Sequence, residues 1–176
     1  MNAKEISSPK EVYSCPFFNV SEVRLQLENG HEFTYYLNDG RDYVVIIAEQ
    51  DNKLLMVKQY RYPVKKVQLE FSAGGINKDE DSKDAAYREL LEETGYKACN
   101  LKYIGSIQQL VARSGTSGHV YVASQLEDTG TVHLDQTEIG LEHVWVPITE
   151  FKQMIRENKI SDGTSLAVWT LYQSYL

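Results

Sequence analysis

The stretch "RELLEETGY", Arg88 to Tyr96, sets Glu89, Glu92 and Glu93 at i, i+3 and i+4. On a helix turning about 100° per residue, the three project from one arc roughly 100° wide. Like charges at that spacing repel by about 0.2–0.5 kcal/mol per pair. A stabilising exposed face would place Lys or Arg four residues after Glu, but here both following partners of Glu89 are Glu. Ala85 and Ala86 lie close to the same arc and leave space over it. Carboxylates gathered in this way suit a hard divalent cation, Mg²⁺ or Mn²⁺. Such an ion takes oxygen ligands and keeps waters that substrate phosphates displace. A solvated acidic face is the alternative that the helix alone leaves open.

The preceding residues bear on that choice. "EFSAGGINKDEDS" runs from a strand end through Gly74-Gly75 into a polar loop. Glycine is ordinary in a strand-to-helix turn. It also lets the backbone approach an ion or phosphate, with the Ala73 carbonyl free to act as a ligand.

The elements that must position these groups are legible from periodicity. "VSEVRLQLENGHEFTYYLNDG" alternates apolar and polar residues and turns at Asn29-Gly30, a strong hairpin signal. A second pair, Asp42 to Glu49 and Leu54 to Tyr60, turns near Asp51-Asn52. Its "VVII" has no polar face, which predicts a strand covered on both sides. "KVQLEFSAGG" reads as one further strand. A helix is predicted over Ser82 to Thr94, capped by Asp81 or Ser82 and closed by Gly95, with Tyr87, Leu90 and Leu91 as its apolar stripe away from the glutamates. Strands follow near Leu101–Gln108, His119–Ser124 and Glu142–Val146. Pro147 then opens one helix, and Asp162 to Thr164 cap a last one. This order predicts an α/β (α+β) architecture, a mixed β-sheet with helices on both faces.

The bulk composition narrows the function classes. A chain of 176 residues, 42% apolar and 24% charged, fits one domain with a substantial core. No apolar run approaches the roughly 18 residues of a membrane span, and the N-terminal residues lack a signal-peptide stretch, so the expected location is the cytoplasm. Cys15 and Cys99 are too few for a disulfide framework. The net charge of −7 argues against broad electrostatic capture of nucleic acid. A phosphate substrate would need the field reversed locally, by a divalent cation or placed arginines.

Gly74, Glu80, the "REL" of Arg88 to Leu90, the "EE" of Glu92 and Glu93, and Gly95 stand at spacings that resemble the Nudix box. Tyr96 departs from it where an aliphatic residue is usual. "VKQYRYPVKKVQLEFSAGG" and the closing "LEHVWVPITEFKQMIRENKISDGTSLAVWTLY" are similar to the ADP-ribose pyrophosphatase branch of Nudix hydrolases, with Ser72 at a proline position. The resemblance implies a Nudix fold, a mixed β-sheet sandwiched between helices, with an N-terminal antiparallel strand extension over residues 1–40 as part of the same unit and the hydrolase domain over 41–176. It implies Mg²⁺-dependent hydrolysis of the diphosphate bond of a nucleoside diphosphate sugar, ADP-ribose above all. The alternatives are dinucleoside polyphosphates, nucleoside triphosphates, capped RNA ends, or a nucleotide-sugar sensor that does not cleave.

By the same resemblance, Ala73, Glu89, Glu92 and Glu93 hold the metal and Arg88 orients one of the carboxylates, while Glu80 supports either the loop or the metals from behind their ligands. The general base of this branch comes from an acidic loop, here Asp135, Glu138 or Glu142, with Glu138 favoured; each is equally readable as a solvated acid. Arg61, with Glu70 and Gly74, is the candidate for substrate binding, and a cross-strand ion pair is the plainer reading of Arg61 and Glu70. "ARSGTSGHVYVA" lacks the branch's "S-P-G" turn and following acid, which leaves the sugar nucleotide open. Members of the branch often form homodimers by exchanging N-terminal strands. The aromatic residues of Tyr13 to Phe18 and Tyr35-Tyr36 would serve such an interface, stack on a base, or pack in a core.

Overall fold

In the computed structural model, which describes residues 3–134, 138 and 140–176, the apolar run lies in a strand, β5 (Tyr43–Gln50), with both faces covered. Val44 to Ala48 are 0–1% exposed. One edge pairs in parallel with β10 (Gly118–Asp128). The other is shared, antiparallel, between β6 (Lys53–Arg61) near the hairpin and β8 (Ser72–Gly75) further back. Successive side chains point to opposite faces. Val45 and Ile47 therefore join Leu54, Met56, Phe151, Val168 and Trp169, while Val44, Ile46 and Ala48 join Ala85, Ala86, Leu90 and Ala123. Each buried Val or Ile contributes about 1.5–3 kcal/mol.

The sheet is completed by β7 (Lys66–Glu70) on β6, β9 (Tyr96–Ile107) on β10 and β11 (Glu142–Pro147) on β6, giving the order β11-β6-β5-β10-β9 with β7 and β8 to the side. Helix α1 (Ser82–Thr94) covers one face; α2 (Ile148–Arg156) and α3 (Gly163–Tyr175) supply Phe151, Val168, Trp169 and Tyr172 to the other. The expected mixed sheet between helices is the observed one. Asp51 and Asn52, with φ of 53° and 59°, make the tight hairpin between β5 and β6.

Two expectations are corrected. "KVQLEFSAGG" is two strands, β7 and β8, because the chain changes partners from β6 to β5 at Phe71, which turns into the core against Phe151 with ring centroids 5.6 Å apart. Strands β9 and β10 also extend beyond the expected limits, since their antiparallel ladder continues to the pair Tyr96 and Asp128.

Residues 3–41 and 108–117 form a second compact unit. Its central strand, β3 (Asn19–Leu27), pairs with β1 (Ala3–Glu5), β2 (Lys10–Ser14) and β4 (Glu32–Asp39). The hairpin from β3 to β4 turns at Gly30, φ 84°. Asn38 N–H donates to the Arg113 carbonyl at 2.6 Å, and Tyr35 Oη to that of Ala112. Within this unit Phe18, Val20, Tyr36, Leu37, Asn38, Leu110 and Arg113 line a cavity of about 380 Å³.

Candidate active site

Helix α1 begins where Asp81 accepts from Lys83 N–H at 2.8 Å and ends at Gly95, whose φ of 74° frees its N–H to reach the Leu91 carbonyl at 2.8 Å. The buried arc is Ala85, Ala86, Glu89, Leu90, Glu93 and Thr94; of the expected stripe Leu90 is buried and Tyr87 is partly buried against the same cluster, whereas Leu91 is not part of it. The two alanines allow close approach to the sheet and are themselves fully buried, so no space is left over them. Two glutamates thus enter the protein beside the apolar contact: Glu89 is 7% exposed and Glu93 4%. Glu92 lies further out, its side chain 39% exposed.

Arg88 organises the carboxylates around it. Its Nε and Nη2 donate to the two oxygens of Glu80 at 2.8 and 2.9 Å. Nη1 donates to Glu89 at 2.6 Å and Glu92 at 3.1 Å, and Nη2 also to the Gly75 carbonyl at 3.0 Å. Glu80 in turn accepts from Asn77 N–H at 2.8 Å. One guanidinium therefore ties the loop after β8 to the helix. The Arg88 hydrogen bonds hold the Glu80 carboxyl down at about 2.

Glu93 is set differently. Its Oε2 accepts from Ala73 N–H at 3.1 Å. Burial pushes its pKa up to about 8; Ser72 and the Ala73 N–H oppose the rise, while the charges of Glu89 and Glu138 add to it. Burial also raises Glu89, against the pull of Arg88 and with the help of Glu92 and Glu138. Ser72 Oγ lies near enough to favour the charged Glu93, yet it is fully buried and makes no hydrogen bond of normal length and angle. A methyl on Gly74 would stand 2.1 Å from Glu89 Cδ, so this glycine is a matter of space.

Arg61, at the end of β6, grips Glu70, at the end of β7. Nε donates to both carboxylate oxygens at 3.0 and 3.2 Å and Nη2 to one at 2.6 Å. The Glu70 hydrogen bond raises the Arg61 pKa, and the charges of Glu93 and Asp162 reach the same guanidinium. Asp162 caps α3 by accepting from Thr164 and Ser165 N–H.

A family model for the NUDIX domain matches residues 39–166. The chain belongs to the Nudix hydrolase family. It is 33% identical over 123 residues to the methanol dehydrogenase activator of Bacillus methanolicus, covering 69% of this chain and 66% of that one. It is 30% identical over 118 residues to the ADP-ribose pyrophosphatase of Bacillus subtilis, covering 66% and 64%. The matched segments thus span slightly less than two thirds of either relative. A crystal structure of an ADP compounds hydrolase superposes with a TM-score of 0.87 at 22% identity, covering 100% of this chain and 95% of that one.

Within the Nudix chain, the glycine turn and the box residues fall into one neighbourhood. The box residues Glu80, Arg88, Glu89 and Glu92 share one hydrogen-bond network, Glu93 hangs from Ala73, and Gly74 underlies Glu89. Of the candidate bases, Asp135 lies outside the described residues. Glu138 is close enough to act on both buried glutamates. Glu142 opens β11, exposed, opposite Lys58. The reading of the sequence gave Ser72 no role; its only signal was a serine at the branch's proline position.

Among the described residues no three or more His, Cys, Asp or Glu side chains converge as a ready-made metal site. Arg88 draws Glu89 and Glu92 toward its own guanidinium. The donors still fit a divalent cation. Glu80, Glu89 and Glu92 surround that one arginine, and the buried Glu93, held by Ala73 N–H, is close enough to Glu89 to feel its charge. Burial raises the Glu93 carboxyl, and a cation against it would favour the charged form. Oxygen donors of this kind match Mg²⁺ or Mn²⁺ rather than softer metals.

Proposed function

We propose that the chain hydrolyses the diphosphate bond of a nucleoside diphosphate sugar, ADP-ribose first, releasing a nucleoside monophosphate and a sugar phosphate. The observation that carries this reading is buried Glu89, tied with Glu80 and Glu92 to Arg88, together with buried Glu93, held by the Ala73 N–H of the glycine turn. The relatives that bear the name ADP-ribose pyrophosphatase support the substrate. In this reading Mg²⁺, or Mn²⁺ in its place, is held by Glu89, Glu92, Glu93 and the Ala73 carbonyl. When bound, it neutralises the diphosphate and lowers the pKa of water.

The protein groups do the rest. Arg88 fixes the orientation of Glu89 and Glu92, and Glu80 fixes Arg88. Glu138 accepts a proton from the water that attacks phosphorus as the bridging P–O bond breaks. Arg61, steadied by Glu70, binds a phosphate or the sugar. Catalysis here is mainly placement and charge, as phosphoryl chemistry requires.

The partner proposed for the chain is a second copy, joined through the N-terminal strands. The exposure of Val12, Tyr13, Phe17 and Phe18 in that unit supports this reading. The proposed location is the cytoplasm; among the described residues no helix is long and apolar enough to cross a membrane.

The deciding experiment is incubation with a panel of nucleotide sugars, dinucleotides and triphosphates plus Mg²⁺, with products separated by chromatography. The expected result is AMP and ribose 5-phosphate from ADP-ribose, and no turnover in chelator. Intact ADP-ribose after long incubation, or preferred cleavage of triphosphates, would overturn the substrate assignment.

A further inference from the structure

We infer that the Ser72 hydroxyl is a positioning group for Glu93, which sets how tightly the divalent cation is held. This rests on the proposed metal role of Glu93. Three observations converge on Ser72. It is 1% exposed, and its Oγ is a buried polar side-chain atom without a hydrogen bond. Its neighbour Ala73 already holds Glu93 Oε2 through the backbone N–H. The next residue, Gly74, touches the carboxylate of Glu89. Ser72 and Gly74, two apart in β8, share the face of the strand on which Gly74 meets Glu89, and Ala73 between them reaches Glu93 through its backbone.

A buried hydroxyl without a partner is rare and calls for an explanation. A carboxylate that gives one oxygen to a cation needs its remaining lone pairs held, or it swings and the site loosens. The Ala73 N–H supplies one donor, and Ser72 Oγ lies near enough to favour the charged form of the same carboxylate without a hydrogen bond of normal geometry. A proline at this position, as in the branch pattern, would offer neither a side-chain donor nor an N–H. Here Ser72 stands in the ladder opposite Ile46, so its backbone is fixed and only the hydroxyl is left to turn.

The plainer reading is that serine fills a small space in the strand. Ser72→Ala separates the two, because it keeps the backbone and nearly the whole volume. Mn²⁺ affinity is measured by calorimetric titration of the full chain, together with the Tm of metal-free protein. The expected result is Mn²⁺ binding weakened about 10-fold or more, with the metal-free Tm unchanged or higher. At saturating Mn²⁺, turnover of ADP-ribose should return close to the wild-type rate. Equal Mn²⁺ affinity in the two proteins overturns the inference and leaves the metal reading standing. A lower metal-free Tm in Ser72→Ala overturns it too, since the hydroxyl would then be structural. If the wild-type protein binds no Mn²⁺, the metal role of Glu93 falls and this inference with it.

Discussion

The carboxylate of Glu89 lies against the Cα of Gly74, so closely that an added methyl would stand 2.1 Å from its carbon and 2.2 Å from its oxygens. Strand and helix meet at this contact. Gly74→Ala should leave the fold intact and push Glu89 out of line with Arg88. A misplacement near 1 Å costs about 100-fold in rate where reacting groups must be aligned. The measurement is kcat for ADP-ribose beside the circular dichroism spectrum. Activity near wild type would show that the position of Glu89 is not critical.

Removing the charge of the buried glutamate tests the metal assignment directly. Glu93→Gln keeps the shape and the acceptor for Ala73 N–H. It should be neutral or mildly stabilising in metal-free protein, because a buried acid raised by desolvation is replaced by a neutral amide. It should lower Mn²⁺ affinity and turnover by at least about 10–100-fold, and Glu92→Gln should lower turnover as well. Thermal melts without metal and Mn²⁺ titrations read the two effects separately. Unchanged activity in both variants would refute the assignment.

Acid stability should carry the mark of Glu80. Its carboxyl is held at about 2, against 4.5 when free, by the Arg88 hydrogen bonds. In this pH range the unfolded chain binds the proton and the folded chain does not. The stabilisation is therefore complete above pH 4.5 and is lost as pH falls toward 2. Glu93, raised by burial, acts in the opposite sense at higher pH. The difference between wild-type and Glu80→Gln denaturation curves isolates the stabilisation that Glu80 gains from Arg88. It should be constant above about pH 5 and shrink below it; a difference that does not shrink would contradict the pairing.

The proton acceptor can be assigned by comparing two acids that the sequence leaves equivalent. Glu138→Gln should lower kcat about 100–10,000-fold, the usual span for loss of a general base. Glu142→Gln, exposed and opposite Lys58 on the next strand, should stay near wild type. Full activity in Glu138→Gln would move the role elsewhere.

Much of this was readable in the chain. The limits of α1 follow from Asp81, Gly95 and unbroken helix formers between them. The double burial of β5 follows from "VVII", because a strand without a polar face has nothing to turn to water. The break of β7 and β8 at Phe71 was not readable, since a continuous apolar run does not record a change of pairing partner. Nor was the orphaned hydroxyl of Ser72, because burial without a partner belongs to the surroundings of a residue.

Local spacing put Glu89, Glu92 and Glu93 on one helix side, and glycine at position 74 permitted an approach. Spacing along a chain is fixed by helical geometry, so that much is settled before folding. Which glutamates are buried, that Arg88 reaches back to Glu80, and that Glu138 lies near Glu89 and Glu93 were decided by the packing of distant segments. Desolvation and through-space charge depend on what surrounds a group, and only the assembled tertiary structure supplies those neighbours.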